Sequence, residues 1–377
     1  MDPTHDPRLL DRPQSTSDQF TRDELDSASR NHASYLELLA LETTPIGAHY
    51  VVLHFDIPLV DASTWRLEIG GLVARPLTLT LDDLRGRPRV EAPVTLECAG
   101  NGRALMTPRA VTMPWFVEGV STARWTGVSL RALLIEAGVD PVRGRQVVFG
   151  ARDRGITKGI DHHYRRALPL DQALLPDVLL AYEMEQRPLP PQHGFPLRLV
   201  VPGWYGMAPV KWLDRVTVID REFEGYEQKY VYRDTQCAED LGQPVTRMNV
   251  RSLFRPPGLP DGDSRKRYAP PGRYEIVGKA WSGLAPVTVV EFSADGGRTW
   301  RETRLLPPPA PHAWRTWTAA WEATPGTHVL CSRATDAGGH TQPLTAVWNL
   351  QGMGNNSVYR LEVTVGDLAG PESSVAG

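Results

Sequence analysis

Three groups of residues have the types and spacing to do chemistry. The first is Cys98, which closes the alternating segment VTLEC (94–98) and opens the turn Ala99-Gly100-Asn101-Gly102-Arg103. Such a turn can hold a thiol and backbone N–H groups at a rim, where Arg103 would lower the thiol pKa. The competing interpretation is a buried structural cysteine beside an Asn-Gly turn. The second group is His193, Arg198 and Lys211, which bracket HGFPLRLVVPGWYGMAPVK. They could converge on a phosphate, with glycines permitting close backbone approach, or they could be scattered loop charges. The third is Asp161-His162-His163-Tyr164. It offers metal-ligand types without a second spaced cluster, and so reads as a polar loop. Arg165-Arg166 and Arg265-Lys266-Arg267 read as solvated loop charges.

The elements that must position these groups are mostly short strands. Gly 33 and Pro 33 in 377 residues favour strands and shaped loops over helix bundles. Residues 1–48 lean acidic and read as a partly helical surface arm. A capping box, Thr21 with Glu24, starts a helix through Ser29, and Tyr35–Leu41 repeats apolar positions at helical spacing. Residues 49–254 mix strands (QVVFGA, VLLAYEM, FPLRLVV, KWLDRVTVID) with a helix after Ser129 that ends at Gly138. Without a regular βαβ repeat this is an α+β domain, not a doubly wound sheet. Residues 255–272 read as a Pro/Gly-rich linker. Residues 273–370 read as an all-β, immunoglobulin-like sandwich with a hairpin turn at Asp295-Gly296-Gly297, and 371–377 as a tail.

Composition removes several function classes. Lys+Arg 41 against Asp+Glu 44 leaves a net charge of -3, with no basic excess to recruit nucleic acid. No run of 18 apolar residues occurs, so no membrane span is expected. Three cysteines are too few and too odd for a disulfide scaffold or a four-thiolate zinc site. The N-terminus lacks an apolar h-region and a twin arginine, which gives a cytoplasmic expectation. Neither G-x-G-x-x-G nor G-x-x-x-x-G-K-[ST] is present. There is no HPGG-like or C-x-x-C-H segment, so no haem is expected.

VTLECAGNGR, STARWTG, LLAYEM, HGFPLRLVVPGWYGMAPVKWLDRV, AWSG, DGGRTW and VWNLQG follow one another in this order. Together they resemble the sulfite oxidase family of molybdenum enzymes, from about Tyr50 to about Arg360. The resemblance implies a mixed α+β molybdenum domain followed by an immunoglobulin-like domain through which the protein forms a homodimer. It implies a molybdenum–molybdopterin cofactor with Cys98 as the protein's metal ligand, since a soft thiolate suits that centre. Cofactor contacts carry over to Tyr50, His54, Asp153, His193, Arg198, Pro209, Val210 and Lys211. In this scheme Asp153 accepts from the pterin amines, while Arg198 and Lys211 pair with the phosphate. Arg103, Trp115 and Tyr232, the last with Tyr230 as a rival, would form the catalytic pocket for a small oxyanion. A separate electron carrier is implied.

Two family arginines are missing. Val52 stands where the strand FYVRNH has one, and Gln351 where WNLRG has the other; Gly102 replaces a third positive charge of CAGNRR. Arg247, Arg251 and Lys229 are the candidates to compensate. The resemblance therefore leads to sulfite oxidised to sulfate. The alternative is a less charged or organic oxo substrate, with the enzyme running as a reductase of sulfoxide, N-oxide or nitrate. A third reading is a cofactor-free binding protein on this scaffold. Cys98, His193, Arg198 and Lys211 together argue against it.

Overall fold

A computed structural model of the chain describes residues 6–367. Two compact units form. The first gathers the residues up to Ser34, Thr43–Met248 and Trp348–Asn355; the second holds Tyr35–Glu42, Asn249–Val347 and the residues from Asn356 on.

The first unit contains two five-stranded sheets. In one, Val120–Ser129 lies between Val90–Glu97 and Leu179–Met184, and Arg198–Val200 also pairs with Leu179–Met184. Val94, Thr95, Leu96 and Glu97 are all buried, so the strand that leads to Cys98 is covered on both faces. In the other sheet, Leu213–Ile219 runs parallel to Leu67–Gly71 and antiparallel to Gln146–Thr157, which pairs in turn with Ile160–Pro169. The first sheet is antiparallel and the second mixed, and helices are few and short, as expected of an α+β chain. The capping box of Thr21 and Glu24 forms and starts the helix Arg22–Ser29. Ser129 caps Leu130–Glu136 by accepting from Ala132 N–H, and Gly138 ends it at φ +69°.

The second unit is built on a four-stranded and a six-stranded sheet. Phe254, Ile276 and Trp317 from the first, with Val290, Phe292, Leu330 and Leu361 from the second, make one apolar core. Strand Val287–Ser293 pairs with Arg301–Glu302 around the turn at Asp295-Gly296-Gly297. Asp295 accepts from Arg298 and Thr299 N–H at 3.0 Å and holds that turn.

The domain boundaries differ from expectation in three places. Residues 255–272 are not a free linker: Leu259–Pro260 pairs with Arg267–Ala269, which pairs with Arg360–Val365. Proline is tolerated there because the strand is an edge. Tyr35–Glu42 leaves the arm for the second unit, as a 3-10 helix (Leu36–Ala40) that buries Leu36 and Leu39. Trp348–Asn355 returns to the first unit, where Trp348 Nε1 donates to Pro108 O (2.7 Å) and Gly354 N–H to Ala99 O (2.7 Å). The expected tail, 371–377, lies outside the described residues. Asp161-His162-His163-Tyr164 is part of the strand Ile160–Pro169, not a loop. No helix among the described residues is long and apolar enough to cross a membrane.

Candidate cofactor cleft and adjoining cavity

Cys98 stands at the junction of two cavities of the first unit. Its N–H donates to Gly119 O (2.8 Å). The turn behind it is fixed by Asn101, whose Nδ2 donates to Glu97 Oε1 (3.0 Å) and Val117 O (3.1 Å), and whose Oδ1 accepts from Gly119 N–H (3.0 Å). Gly102 has φ +89°, a conformation that favours glycine. A Cβ on Gly100 would lie 2.7 Å from the Arg103 guanidinium carbon, so the turn leaves room for that side chain to fold beneath it. Burial pushes the Cys98 thiol pKa up, and the nearby Arg103 charge only partly offsets this. The expectation that Arg103 would leave a lowered pKa is thus corrected, because desolvation is the larger effect in a closed site.

The first cavity is lined by Tyr50, His54, Cys98, Asp153, His193, Arg198, Pro209 and Lys211, among others. Val210 is buried but lines neither cavity. The Arg198 guanidinium stacks 4.6 Å from the Trp125 ring centre and donates to His193 O (3.1 Å) and Pro209 O (3.4 Å). Burial brings its pKa down to about 10, so it is cationic at neutral pH. Lys211 Nζ donates to Val52 O (2.7 Å) and Gln192 O (3.0 Å). Its pKa falls to about 7 through burial and repulsion by Arg198, with Asp153 opposing. Burial raises Asp153 to about 6. His193 and His54 drop to about 2 and about 3, mainly by burial, and are therefore neutral. His54 Nε2 shares a 2.6 Å hydrogen bond with Tyr232 Oη. Burial and the Cys98 sulfur both push the Tyr232 hydroxyl pKa up, so it stays protonated.

Four buried polar atoms of this cleft lack a partner in the described residues: His49 Nε2, Asp153 Oδ1, His193 Nε2 and Arg198 Nε. Such groups cost roughly 1–3 kcal/mol each if nothing binds them. Gly206 keeps the cleft open to Tyr50, since a Cβ there would come 2.3 Å from the Tyr50 hydroxyl.

The second cavity shares Val52, His54, Cys98 and Tyr232 with the first and adds Arg103, Trp115, Tyr226, Tyr230, Lys158 and Arg12. Tyr232 faces both cavities and Tyr230 only the second. Arg103 is buried, donating to Gly352 O (3.2 Å), Met113 O (3.4 Å) and Met353 Sδ (3.2 Å). None of the three candidate compensators lines either cavity. Arg247 donates to Gln172 Oε1 (2.7 Å), Lys229 pairs with Glu224, and Arg251 is buried in the second unit.

Sequence reasoning missed several residues here. His49 is buried against Tyr50 and His193. Tyr164 Oη donates to Met207 O (2.7 Å), and its ring lies 4.5 Å from that of His54. Arg166 is not a solvated charge: it is buried with its guanidinium 5.1 Å from the Tyr232 ring centre. The period of two along Ile160–Pro169 carried that signal, with Arg165 outward and Arg166 inward.

Residues 54–227 match the oxidoreductase molybdopterin binding domain, and residues 243–366 the Mo-co oxidoreductase dimerisation domain. Sulfite oxidase of Gallus gallus is 36% identical over 353 residues, which span 86% of this chain and 74% of that protein. Nitrate reductase [NADH] 1 of Oryza sativa subsp. japonica is 36% identical over 359 residues; the match covers 85% of this chain but only 38% of that longer protein. Among solved structures, the sulfane dehydrogenase SoxCD from Paracoccus pantotrophus superposes with a TM-score of 0.76 at 26% identity, covering 96% of this chain and 92% of that one.

Proposed function

This chain belongs to the sulfite oxidase family of molybdopterin-binding oxidoreductases, and from that premise we propose that it transfers an oxygen atom and two electrons, with sulfite oxidised to sulfate. One observation carries the reading. The Cys98 sulfur sits where a cleft with unpartnered polar groups meets a cavity that holds guanidinium groups. The donor set fits molybdopterin: Arg198 and Lys211 suit its phosphate, Asp153 and His193 have free valences for the pterin, and Cys98 offers one soft ligand. Bound there, the molybdenum would accept two electrons and exchange the oxygen atom. Water supplies the oxygen, so sulfite and water give sulfate, two protons and two electrons; the electrons leave to a separate carrier.

The chain's own residues bind and orient. Arg103 neutralises and hydrogen-bonds the oxyanion, at roughly 1.5–3 kcal/mol per charge-assisted bond. Tyr232, protonated and held by His54, donates to it, and Trp115 walls the cavity against water. In the second unit we read the two sheets around one core as an immunoglobulin-like sandwich, and the match to a dimerisation domain supports a homodimer.

A second reading has a specific observation behind it. Val52 and Gln351 put neutral side chains where the family's anion pocket is charged. This favours a less charged oxo substrate such as nitrate, a sulfoxide or an N-oxide, reduced by the reverse electron flow. The test is to purify the chain from a host that makes molybdopterin and measure metal and pterin per chain. Sulfite oxidation with an artificial acceptor is then compared with reduction of nitrate, a sulfoxide and an N-oxide. Sulfite turnover as the fastest of these is the expected result. Less than about 0.1 metal per chain, set against the near-stoichiometric binding that a structural thiolate ligand implies, would reject both readings.

A further inference from the structure

Arg12 lies outside the matched cofactor domain, 54–227, yet it lines the same cavity as Cys98, Arg103 and Tyr232. The segment that carries it is fastened at several points. Leu10 is fully buried. Gln14–Ser15 pairs with Arg109–Ala110, and Val111 N–H donates to Pro13 O (2.8 Å). Lys158 Nζ, at the turn between Gln146–Thr157 and Ile160–Pro169, donates to the carbonyls of Arg8 (2.8 Å), Leu9 (3.2 Å) and Asp11.

Gln351 fixes the guanidinium. Its Oε1 accepts from Arg12 Nε (2.8 Å), and its Nε2 donates to Leu10 O (3.2 Å) and Tyr230 O (3.4 Å). Only Nε of Arg12 is engaged; its two terminal nitrogens have no hydrogen bond to the described residues, and no described carboxylate pairs with it. Arg103 likewise contacts carbonyls and a sulfur, not a carboxylate. Burial and repulsion from Arg103 bring the Arg12 pKa down to about 10, so Arg12 remains charged at neutral pH. Two guanidiniums without a carboxylate partner, in one cavity, gain from a bound anion.

We propose that Arg12, held by Gln351, is a substrate-binding residue: the N-terminal segment supplies the second guanidinium of the anion cavity, and a tetrahedral or pyramidal oxyanion of sulfur binds between it and Arg103. The proposal rests on the oxyanion reading above. It makes Gln351 a holder for an arginine that comes from elsewhere in the chain, and so accounts for the charge absent at 351.

The experiment titrates sulfate into the 377-residue chain, following heat or tryptophan fluorescence, for wild type, Arg12→Ala, Arg12→Gln and Arg12→Lys. Far-UV dichroism and thermal unfolding verify that each variant is folded. Arg12→Ala and Arg12→Gln are expected to weaken sulfate binding roughly ten- to a hundredfold, the loss of one charge-assisted contact. Arg12→Lys should recover part of it, because the charge returns without the fork. In the metal-loaded protein the same variants should raise KM for sulfite by a similar factor with little change in kcat or metal content. Unchanged sulfate affinity in a folded Arg12→Ala, or no sulfate binding by wild type, overturns the proposal. Sulfate binding that depends on Arg12 in a protein that does not turn over sulfite upholds it while rejecting the substrate reading.

Discussion

The two cavities that meet at Cys98 are built in opposite ways. The cofactor cleft takes its charged groups from strands and from a residue just ahead of one. Arg198 begins Arg198–Val200, Lys211 precedes Leu213–Ile219, and Asp153 lies in Gln146–Thr157. Its charges are clamped by backbone carbonyls, and its histidines are neutral. The adjoining cavity is walled by the Cys98–Arg103 turn, the residues around Tyr226–Tyr232, Met353 and the N-terminal segment. Strands carry most of the polar groups of the cleft, while loops and a distant arm wall the adjoining cavity.

The sharpest break between the two sides is Cys98→Ser. It should reduce turnover at least a thousandfold, as loss of a metal ligand does, with an unchanged unfolding midpoint; steady-state assay and thermal unfolding measure both. On the cleft side alone, Arg198→Met should lower molybdopterin content of purified protein about tenfold or more, since one charge-assisted contact to the phosphate is lost. Fluorescence of the extracted, oxidised pterin reports it, and normal occupancy would remove Arg198 from the phosphate site. On the cavity side, Arg103→Ala should leave that occupancy intact and raise KM for sulfite roughly ten- to a hundredfold. A smaller effect is expected from Val52→Arg. If a missing charge limits sulfite binding, KM should fall by about fivefold, within the range of one partly exposed contact; a rise would favour the less charged substrate.

The smallest effect is in the pH dependence of the cofactor-free protein. Lys211 has a folded-state pKa of about 7, below its unfolded value. Between about 7 and that value the unfolded chain binds the extra proton, so stability rises with pH across the window; below it the cost of the buried charge is fully present and the slope vanishes. Denaturant unfolding from pH 7 to 9 should show that slope, up to about one proton, and Lys211→Met should remove it.

The unequal construction of the two cavities also explains what could be read from the chain. ECAGNGR and HGFPLR through VKWL are contiguous, so their residues announce themselves, and the structure gathers Cys98, His193, Arg198 and Lys211 around one cleft. Arg12 gave no signal, because its partner Gln351 is 339 residues away and only folding brings them together. Arg166 was hidden by its neighbour: a doublet reads as solvated until the strand's alternation separates its members. The Leu36–Ala40 turn had the right periodicity and the wrong destination, since apolar spacing says that a face is buried and not which core buries it.

Val52, His54, Cys98 and Tyr232 are the whole of the lining that the two cavities have in common. A party wall of four residues lets one room be refurnished without disturbing the other. On the reading offered here, small molecules can come and go on one side while the prosthetic group stays in place on the other. New specificities can then arise by exchanging residues such as Arg12 and Arg103, which line the second cavity alone.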